Sequence, residues 1–128
     1  MPPTPLSLVI AYARAGASAF AWECFVASGY DRMTDDAAAL SVKGRLLKDR
    51  ALSVDGAERR RLYTEASQAY RSAATVSGAT YPLINAATLS RLAGDVTQAR
   101  DLAGETLDRI ERDPDEPETP YYAAATRA

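Results

Sequence analysis

The stretch Leu62–Ala73 reads LYTEASQAYRSA and carries the clearest structural signal in the chain. Its apolar and small side chains recur at offsets of 0, 4, 7, 8 and 11 residues, at Leu62, Ala66, Ala69, Tyr70 and Ala73. This spacing collects them on one face of an α-helix, which completes a turn about every 3.6 residues. The stretch therefore predicts an amphipathic helix, and no part of the sequence shows the sustained alternation of a β-strand.

Two other stretches carry the same kind of stripe and predict further helices with a buried face. The stripes consist of Ala21, Cys24, Phe25 and Ser28, and of Val96, Ala99, Ala103, Thr106, Leu107 and Ile110. Between them, Gly29 suits a left-handed helix end, Pro82 suits a first helical turn and Asp95 suits a helix N-cap. Such breakers divide the chain into seven predicted helices, at about residues 6–15, 17–28, 35–52, 57–75, 82–93, 95–112 and 121–128.

The composition excludes several kinds of chemistry. The 128 residues carry a formal net charge of −2, no histidine and a single cysteine, Cys24. An intrachain disulfide and a cysteine metal cluster cannot form, and the commonest general base is missing. A serine nucleophile would need Lys43 or Lys48 as its base, because these are the only lysines. Cys24 is interpreted as a buried helix thiol rather than a reactive one, because it lies on an apolar stripe. We expect no enzymatic activity.

Two acidic segments are the remaining candidates for metal binding. Asp35 and Asp36 precede a predicted helix and are interpreted as N-caps. The run 113–118 reads DPDEPE and lacks the spacing of a calcium-binding loop, so it is interpreted as a solvated linker. We therefore expect no metal site and no cofactor.

Charge is unevenly distributed along the chain. Residues 43–61 hold seven basic and three acidic residues, whereas residues 95–118 hold nine acidic and three basic ones. The basic segment could contact nucleic acid or an acidic peptide, or could form solvated helix faces. No nucleic-acid recognition motif is present, and no stretch approaches the ~20 apolar residues of a membrane span. We expect a cytoplasmic protein that binds neither nucleic acid nor membrane.

An internal repeat underlies the helical pattern. It consists of a glycine, a small residue five positions later and a third residue four positions further, filled by Gly16, Ala21 and Phe25 and again by Gly94, Ala99 and Ala103. Ala66 and Tyr70 repeat its last two positions. The small residues Ala21, Ala66 and Ala99 lie 45 and 33 residues apart. The shorter interval is near the ~34-residue tetratricopeptide period, and the longer one fits that period with about ten residues inserted around 51–61.

At these residues the sequence resembles the tetratricopeptide repeat family. Gly44 matches the glycine inside the first helix of a repeat, although Ala103 stands where the family has a large residue. A narrower resemblance is carried by GRLLKD at 44–49 and YPLINAATL at 81–89. These strings are similar to the repeat region in the TRAF-binding segment of stress-activated MAP kinase kinase kinases, and to related bacterial proteins. That resemblance implies a regulatory scaffold inside a larger protein and transfers no catalytic residue.

The resemblance implies an all-α fold. We expect a right-handed α-solenoid of about three antiparallel helical hairpins, at residues 5–29, 35–77 and 81–112, with a partial repeat at 119–128. Residues 1–128 would form a single domain that is a fragment of a longer array. Uncovered repeat ends would then allow homo-oligomers to form.

In stacked hairpins of this kind, the first helix of each lines a concave face that binds a peptide. Counting from the glycine positions, the predicted partner-binding residues are Arg45, Lys48, Asp49, Tyr81, Ile84, Thr88 and Arg91. Their mixture of cationic, aromatic and aliphatic groups suits a peptide or protein partner. The predicted function is a non-catalytic interaction scaffold, and the alternative is a regulatory or sensory repeat domain controlling an attached enzymatic domain.

Overall fold

The computed structural model describes residues 2–112, and within this range the protein is all-helical. The α-helices are α1 (Leu6–Arg14), α2 (Ser18–Ala27), α3 (Ala37–Ala51), α4 (Gly56–Ser77), α5 (Tyr81–Leu92) and α6 (Val96–Arg112), and a short 3-10 helix covers Tyr30–Arg32. The first six predicted helices are therefore confirmed. The predicted helix at 121–128 and the acidic linker lie outside the described residues.

Several helix ends are formed by the residues that the sequence predicts. Asp36 precedes α3, and its Oδ1 accepts a hydrogen bond of 3.0 Å from the Ala39 amide. Asp95 accepts one in the same way from the Gln98 amide at the start of α6. Gly29 ends α2 and has a φ of 83°, a left-handed conformation that only glycine adopts readily.

The helices pack as three consecutive pairs, α1 with α2, α3 with α4 and α5 with α6, with α4 also packed along α5. This arrangement confirms the all-α helical repeat, while its right-handed superhelical curvature and the predicted domain limits stay predictions. The middle pair is the long one, because α3 has 15 residues and α4 has 22. Arg59 braces the turn between them, since its Nε donates to the carbonyls of Ala51 at 3.0 Å and Val54 at 2.7 Å.

Two apolar clusters form the core, and Trp22 packs against both of them. The first cluster lies between α1, α2 and α3 and contains Val9, Ala13, Ala21, Phe25, Val42 and Leu46. The second lies between α3, α4, α5 and α6 and includes Leu47, Leu62, Ala66, Tyr70, Leu83, Leu89 and Leu102. The stripe of α4 that carries the clearest sequence signal is buried throughout, as predicted.

Small residues allow α4 and α5 to cross closely. Ser67 and Ser90 are both buried at this crossing, and their hydroxyl oxygens lie 2.7 Å apart. The Ser67 hydroxyl also donates to the Ala86 carbonyl at 2.8 Å. The buried hydroxyls therefore have partners, and burying them leaves no unsatisfied polar group.

Arg109 connects α6, the last described helix, to the end of the middle pair by hydrogen bonds. Its Nη1 donates to the carbonyl of Ala79 at 3.1 Å and to that of Ala74 at 3.3 Å. The Ala74 carbonyl, in the last turn of α4, also accepts a hydrogen bond of 2.9 Å from the Gly78 amide. The Arg109 side chain therefore adds a second, cationic donor at the C-terminal end of α4.

The predicted buried stripe of α6 is confirmed at Thr106 and Ile110 and is wrong at Val96, Ala103 and Leu107. Leu102 is buried, whereas Val96 and Leu107 are 55% and 39% exposed and Ala103 is exposed. Leu102 rather than Ala103 thus corresponds to Phe25, and the half-buried Ala99 is not a closely packed anchor. The cause is that α6 carries two adjacent apolar stripes, and only the one containing Leu102, Thr106 and Ile110 packs inward.

Candidate interaction surface

Beside Arg45 of the predicted site, Gly44 of α3 lies in close contact with Tyr70 of α4. Gly44 is buried, and a Cβ atom added to it would lie 2.5 Å from Cδ2 of Tyr70. Only glycine leaves room for the aromatic ring at this place. Gly44, which matches the family pattern inside a first helix, therefore has a local physical role. Its missing side chain makes room for the tyrosine of the following helix.

The pKa of Tyr70 depends on its burial and on the groups around it. Burial, with smaller contributions from the neighbouring Tyr81 and Asp49, raises the pKa of its phenol to about 12, while Arg45 opposes the shift. These interactions show that Arg45, Asp49 and Tyr81 lie within electrostatic reach of the phenol. At neutral pH the Tyr70 hydroxyl remains protonated and available as a hydrogen-bond donor.

Side chains of α3 and α5 meet above Tyr70. The hydroxyls of Ser41 and Tyr81 lie 3.2 Å apart, which joins the first helix of the middle pair to the first helix of the last pair. On α3, Nε of Arg45 lies 3.9 Å from Oδ2 of Asp49, and both side chains remain partly exposed. We call the surface formed by Ser41, Arg45, Asp49 and Tyr81 over Tyr70 the α3/α5 face.

The seven predicted binding residues divide into two groups. Arg45 and Asp49 pair on α3, the Tyr81 hydroxyl of α5 meets Ser41 of α3, and the half-buried Lys48 and Ile84 lie on the same two helices. Thr88 and Arg91 instead line a separate groove between α5 and α6, next to Ala99 and Ala103. Their use in binding stays a prediction for all seven.

Sequence reasoning missed two members of the α3/α5 face. Ser41 lies four residues before Arg45, so the helical spacing alone places it beside that residue. Tyr70 was assigned only to the buried stripe of α4. Nothing in a stripe pattern reveals that a core tyrosine also lies next to the charged groups of another helix.

A second concave feature lies between α2, α3 and α4. This cleft of about 500 Å³ has Leu40, Leu47 and Ala69 among its apolar lining and Lys43, Arg50, Glu65 and Gln68 among its polar lining. The guanidinium of Arg50 lies 4.8 Å from the centroid of a Trp22 ring that also lines the cleft, a distance typical of a cation–π contact.

Asp31 contributes an unusual polar group to this Trp22 cleft. Its Oδ1 is buried and has no hydrogen-bond partner among the described residues, although the backbone carbonyl of Asp31 accepts a hydrogen bond of 3.2 Å from Lys43. A buried acceptor without a donor is costly, so this oxygen is suited to receive a donor from a bound molecule or water. Neither Trp22 nor Asp31 was predicted as a site residue.

Other reactive groups are sparse in the described range. Cys24 is half-buried rather than fully buried, which corrects the prediction of a core thiol, and it packs against the α1–α3 cluster. Residues 2–112 contain no group of three or more histidine, cysteine or acidic residues arranged to hold a metal ion. None of the described helices combines the length and the apolar character that crossing a membrane requires.

Comparison with known proteins identifies the family. No curated protein and no solved structure matches the chain significantly, and the narrower resemblance to the MAP kinase kinase kinase region is not confirmed. The profile of the family described as Tetratricopeptide Repeats-Sensor matches residues 6–90, which is well over half of the sequence. The match covers α1 to α4 and nearly all of α5. The chain therefore belongs to the Tetratricopeptide Repeats-Sensor family.

Proposed function

We propose that this protein is a non-catalytic interaction domain of the cytoplasm, and that its α3/α5 face binds a peptide or a segment of a partner protein. The observation that carries the proposal is the contact between the hydroxyls of Ser41 on α3 and Tyr81 on α5, next to the partly exposed Arg45–Asp49 pair of α3. Membership of a tetratricopeptide-type family supports the same function, because these repeats generally mediate protein contacts.

The chemistry of the face suits a peptide with both polar and apolar groups. Arg45 and Lys48 offer cationic donors for a carboxylate, and the partly exposed Tyr81 offers aromatic surface. Ile84 adds an aliphatic contact on the neighbouring helix. A mixed surface of this kind favours a protein partner over a nucleic acid, which would require a more uniformly basic surface.

Charge reversal tests the proposed face directly. The variant Arg45→Glu/Lys48→Glu should reduce partner recovery by about tenfold or more in affinity capture from a lysate of the source cells, because it inverts the charge offered to the peptide. The matched control is Arg14→Glu/Arg60→Glu, which reverses two exposed charges on other helices. Thermal melting of each variant separates lost binding from lost folding.

The two groups of predicted residues can be distinguished in the same experiment. Arg91→Glu changes the groove between α5 and α6 and leaves the α3/α5 face intact. If Arg91→Glu abolishes capture and Arg45→Glu/Lys48→Glu does not, the α3/α5 face is not the binding surface. Equal capture by all folded variants would also refute the proposal.

A second candidate function is regulatory, with the domain sensing a small molecule and controlling an attached enzymatic domain. The specific observation in its favour is the Trp22 cleft, whose volume of about 500 Å³ falls within the range of ligand sites. The unpartnered Oδ1 of Asp31 would receive a donor from that molecule. The family's description as a sensor agrees with this alternative.

Thermal-shift screening of polar metabolites against the intact protein tests this alternative. A ligand of the cleft should raise the melting temperature of the native protein, and Trp22→Leu and Asp31→Asn should each reduce that shift. Asp35→Asn is the matched control, because Asp35 is an exposed residue outside the cleft lining. A shift that persists in both cleft variants would place the ligand elsewhere.

A further inference from the structure

One side of α3 lines the Trp22 cleft with alternating apolar and cationic side chains. They recur at intervals of three, four and three residues, which places them on the same side of the helix, and they are Leu40, Lys43, Leu47 and Arg50. Because Lys43 and Arg50 are seven residues apart, their Cα atoms are separated by about 10 Å along the helix axis. The buried Leu47 lies between them. This side of the cleft therefore offers two cations separated by an apolar surface.

Neither cation of the cleft forms an ion pair with an acidic side chain of residues 2–112. The Lys43 ammonium donates a hydrogen bond of 3.2 Å to the backbone carbonyl of Asp31. The guanidinium of Arg50 lies 4.8 Å from the centroid of a Trp22 ring. A carbonyl and an aromatic ring carry no net charge, so both contacts position a cation without neutralising it. Lys43 and Arg50 are therefore suited to bind an anion.

The two acidic side chains of the cleft differ in their partners. Glu65 lines the cleft, but its Oε1 lies 2.6 Å from Nη1 of Arg61 on the same helix, so its charge is compensated. Asp31 has no such partner in the described part of the chain, and its buried Oδ1 receives no hydrogen bond there. The uncompensated charges of the cleft are therefore two positive ones, on Lys43 and Arg50, and one negative one, on Asp31.

A ligand that complements these groups carries two negative charges and one positive charge. Its ammonium group would donate to Oδ1 of Asp31 and so remove the cost of a buried acceptor without a donor. Its two anionic groups would accept charge-assisted hydrogen bonds from Lys43 and Arg50. A short aliphatic chain between them would pack on the apolar side chain of Leu47. These are the functional groups of a dicarboxylic α-amino acid such as glutamate.

The contact between Lys43 and Asp31 indicates how the two carboxylates of such a ligand are distributed. Nζ of Lys43 lies 3.2 Å from the carbonyl oxygen of Asp31, so this cation and the Asp31 carboxylate are within one residue's length of each other. The ammonium and the α-carboxylate of an amino acid are similarly close, because both are attached to the same carbon. The α-carboxylate therefore matches Lys43, and the side-chain carboxylate matches Arg50 further along α3.

The position of Arg50 also disfavours a flat aromatic ligand. The guanidinium lies over a ring of Trp22. On that side, an aromatic ligand would have to displace the guanidinium before it could stack on the ring. An aliphatic dicarboxylate needs no such displacement, because Trp22 orients the cation that binds it. The cleft volume of about 500 Å³ admits a ligand of this size together with water.

We propose that the Trp22 cleft binds a dicarboxylic α-amino acid of the glutamate type. The ammonium of the ligand donates to Asp31, its α-carboxylate accepts from Lys43, and its side-chain carboxylate accepts from Arg50. The proposal rests on the second candidate function, a small molecule in this cleft, and names the chemical class of that molecule. It is independent of peptide binding at the α3/α5 face.

Isothermal titration calorimetry of the full chain with L-glutamate tests the ligand class. Binding should be saturable. L-Glutamine carries a neutral amide in place of the side-chain carboxylate, and glutarate lacks the ammonium. Each should bind at least about tenfold more weakly than L-glutamate, because each leaves a charged group of the cleft unpaired. Equal affinities for the three compounds, or no binding of L-glutamate, overturn the proposal.

Two variants test the assignment of the charged groups. Arg50→Gln should remove most of the preference for glutamate over glutamine, since it removes the cation that distinguishes them, and Asp31→Asn should remove most of the preference for glutamate over glutarate. Arg60→Gln is the matched control, because Arg60 is an exposed cation outside the cleft lining, and it should keep both preferences. Preferences that persist in cleft variants shown by thermal melting to be folded overturn the proposal. If a variant does not fold, the comparison of the three compounds on the native protein decides.

Failure of this proposal can be distinguished from failure of the second candidate function. L-Glutamate could fail to bind while another metabolite raises the melting temperature of the native protein and loses that effect in Trp22→Leu. The cleft would then be a ligand site for another chemical class, and only the assignment to dicarboxylic amino acids would be overturned. If no metabolite has this effect, both proposals are refuted.

Discussion

The crossing of α3 with α4 and the outer side of α6 both arise from regularly spaced small and apolar residues. Within residues 2–112, a neighbouring helix covers the first surface but not the second. At the crossing, Gly44 and Tyr70 fit together so closely that one methyl group would not be accommodated. On α6, an equally regular stripe from Val96 to Leu107 stays uncovered by residues 2–112. Periodicity thus identifies a surface that needs a neighbour, whereas the position in the array decides whether that neighbour is present.

The largest test of this difference uses two leucines of α6. Leu102→Ala should lower the free energy of unfolding by about 2–5 kcal/mol, because Leu102 is buried in the second cluster and its loss leaves a cavity. Leu107→Ala, on the outer stripe, should cost about 1 kcal/mol or less. Urea unfolding followed by circular dichroism measures both.

The two leucines also test the orientation of α6, because Leu102 is buried whereas Leu107 is exposed. Equal costs for the two leucines in the native chain would contradict the observed orientation of α6.

Two helical glycines provide the next test. Gly44→Ala should destabilise the protein by about 1–3 kcal/mol, because its Cβ would overlap the ring of Tyr70. Gly104→Ala is the matched control, since a Cβ at that position meets nothing within 4 Å and alanine favours a helix. It should therefore stabilise α6 by about 0.5–1 kcal/mol, and thermal melting should show shifts of opposite sign.

The smallest expected effect is a loss of folding stability at alkaline pH, caused by Tyr70 at the crossing of α3 with α4. The pKa of Tyr70 is raised from 10.0 to about 12 in the folded protein, so the folded state holds the phenolic proton more tightly than the unfolded state. This contribution is complete below pH 10 and declines as the pH rises from about 10 to 12. Denaturant titrations across this range should show the decline, and Tyr70→Phe should lack it.

The positions at which helices begin and end could be predicted from the sequence. The way in which the helices pack against one another could be predicted less well. Asp36, Asp95 and Gly29 end or begin helices as predicted, because each acts on backbone groups within a few residues. Gly44 was assigned correctly by family resemblance, but its contact with Tyr70 depends on how two helices meet. The direction of α6 could not be obtained from the pattern, since both of its stripes are apolar enough to be buried.

The two candidate sites differ in the same way, because one lies mainly on a single helix and the other is formed by several elements. Ser41, Arg45 and Asp49 follow one another on a single helix face, so their neighbourhood is readable from spacing. The Trp22 cleft instead unites α2, α3, α4 and the segment around Asp31. The Asp31 carboxylate oxygen that has no donor within residues 2–112 depends on this three-dimensional arrangement, and no local sequence motif predicts it.

Arg109 has a consequence for how this chain could be divided or recombined. It belongs to α6, yet it supplies donors to Ala74 at the end of α4 and to Ala79 in the following turn. Removing the third pair would expose both carbonyls, and replacing it with a hairpin lacking an equivalent cation would leave them without this partner. The boundary between the second and third pairs is therefore a poor place to cut, and a shortened protein ending after Ser77 would be expected to fray from its own new terminus.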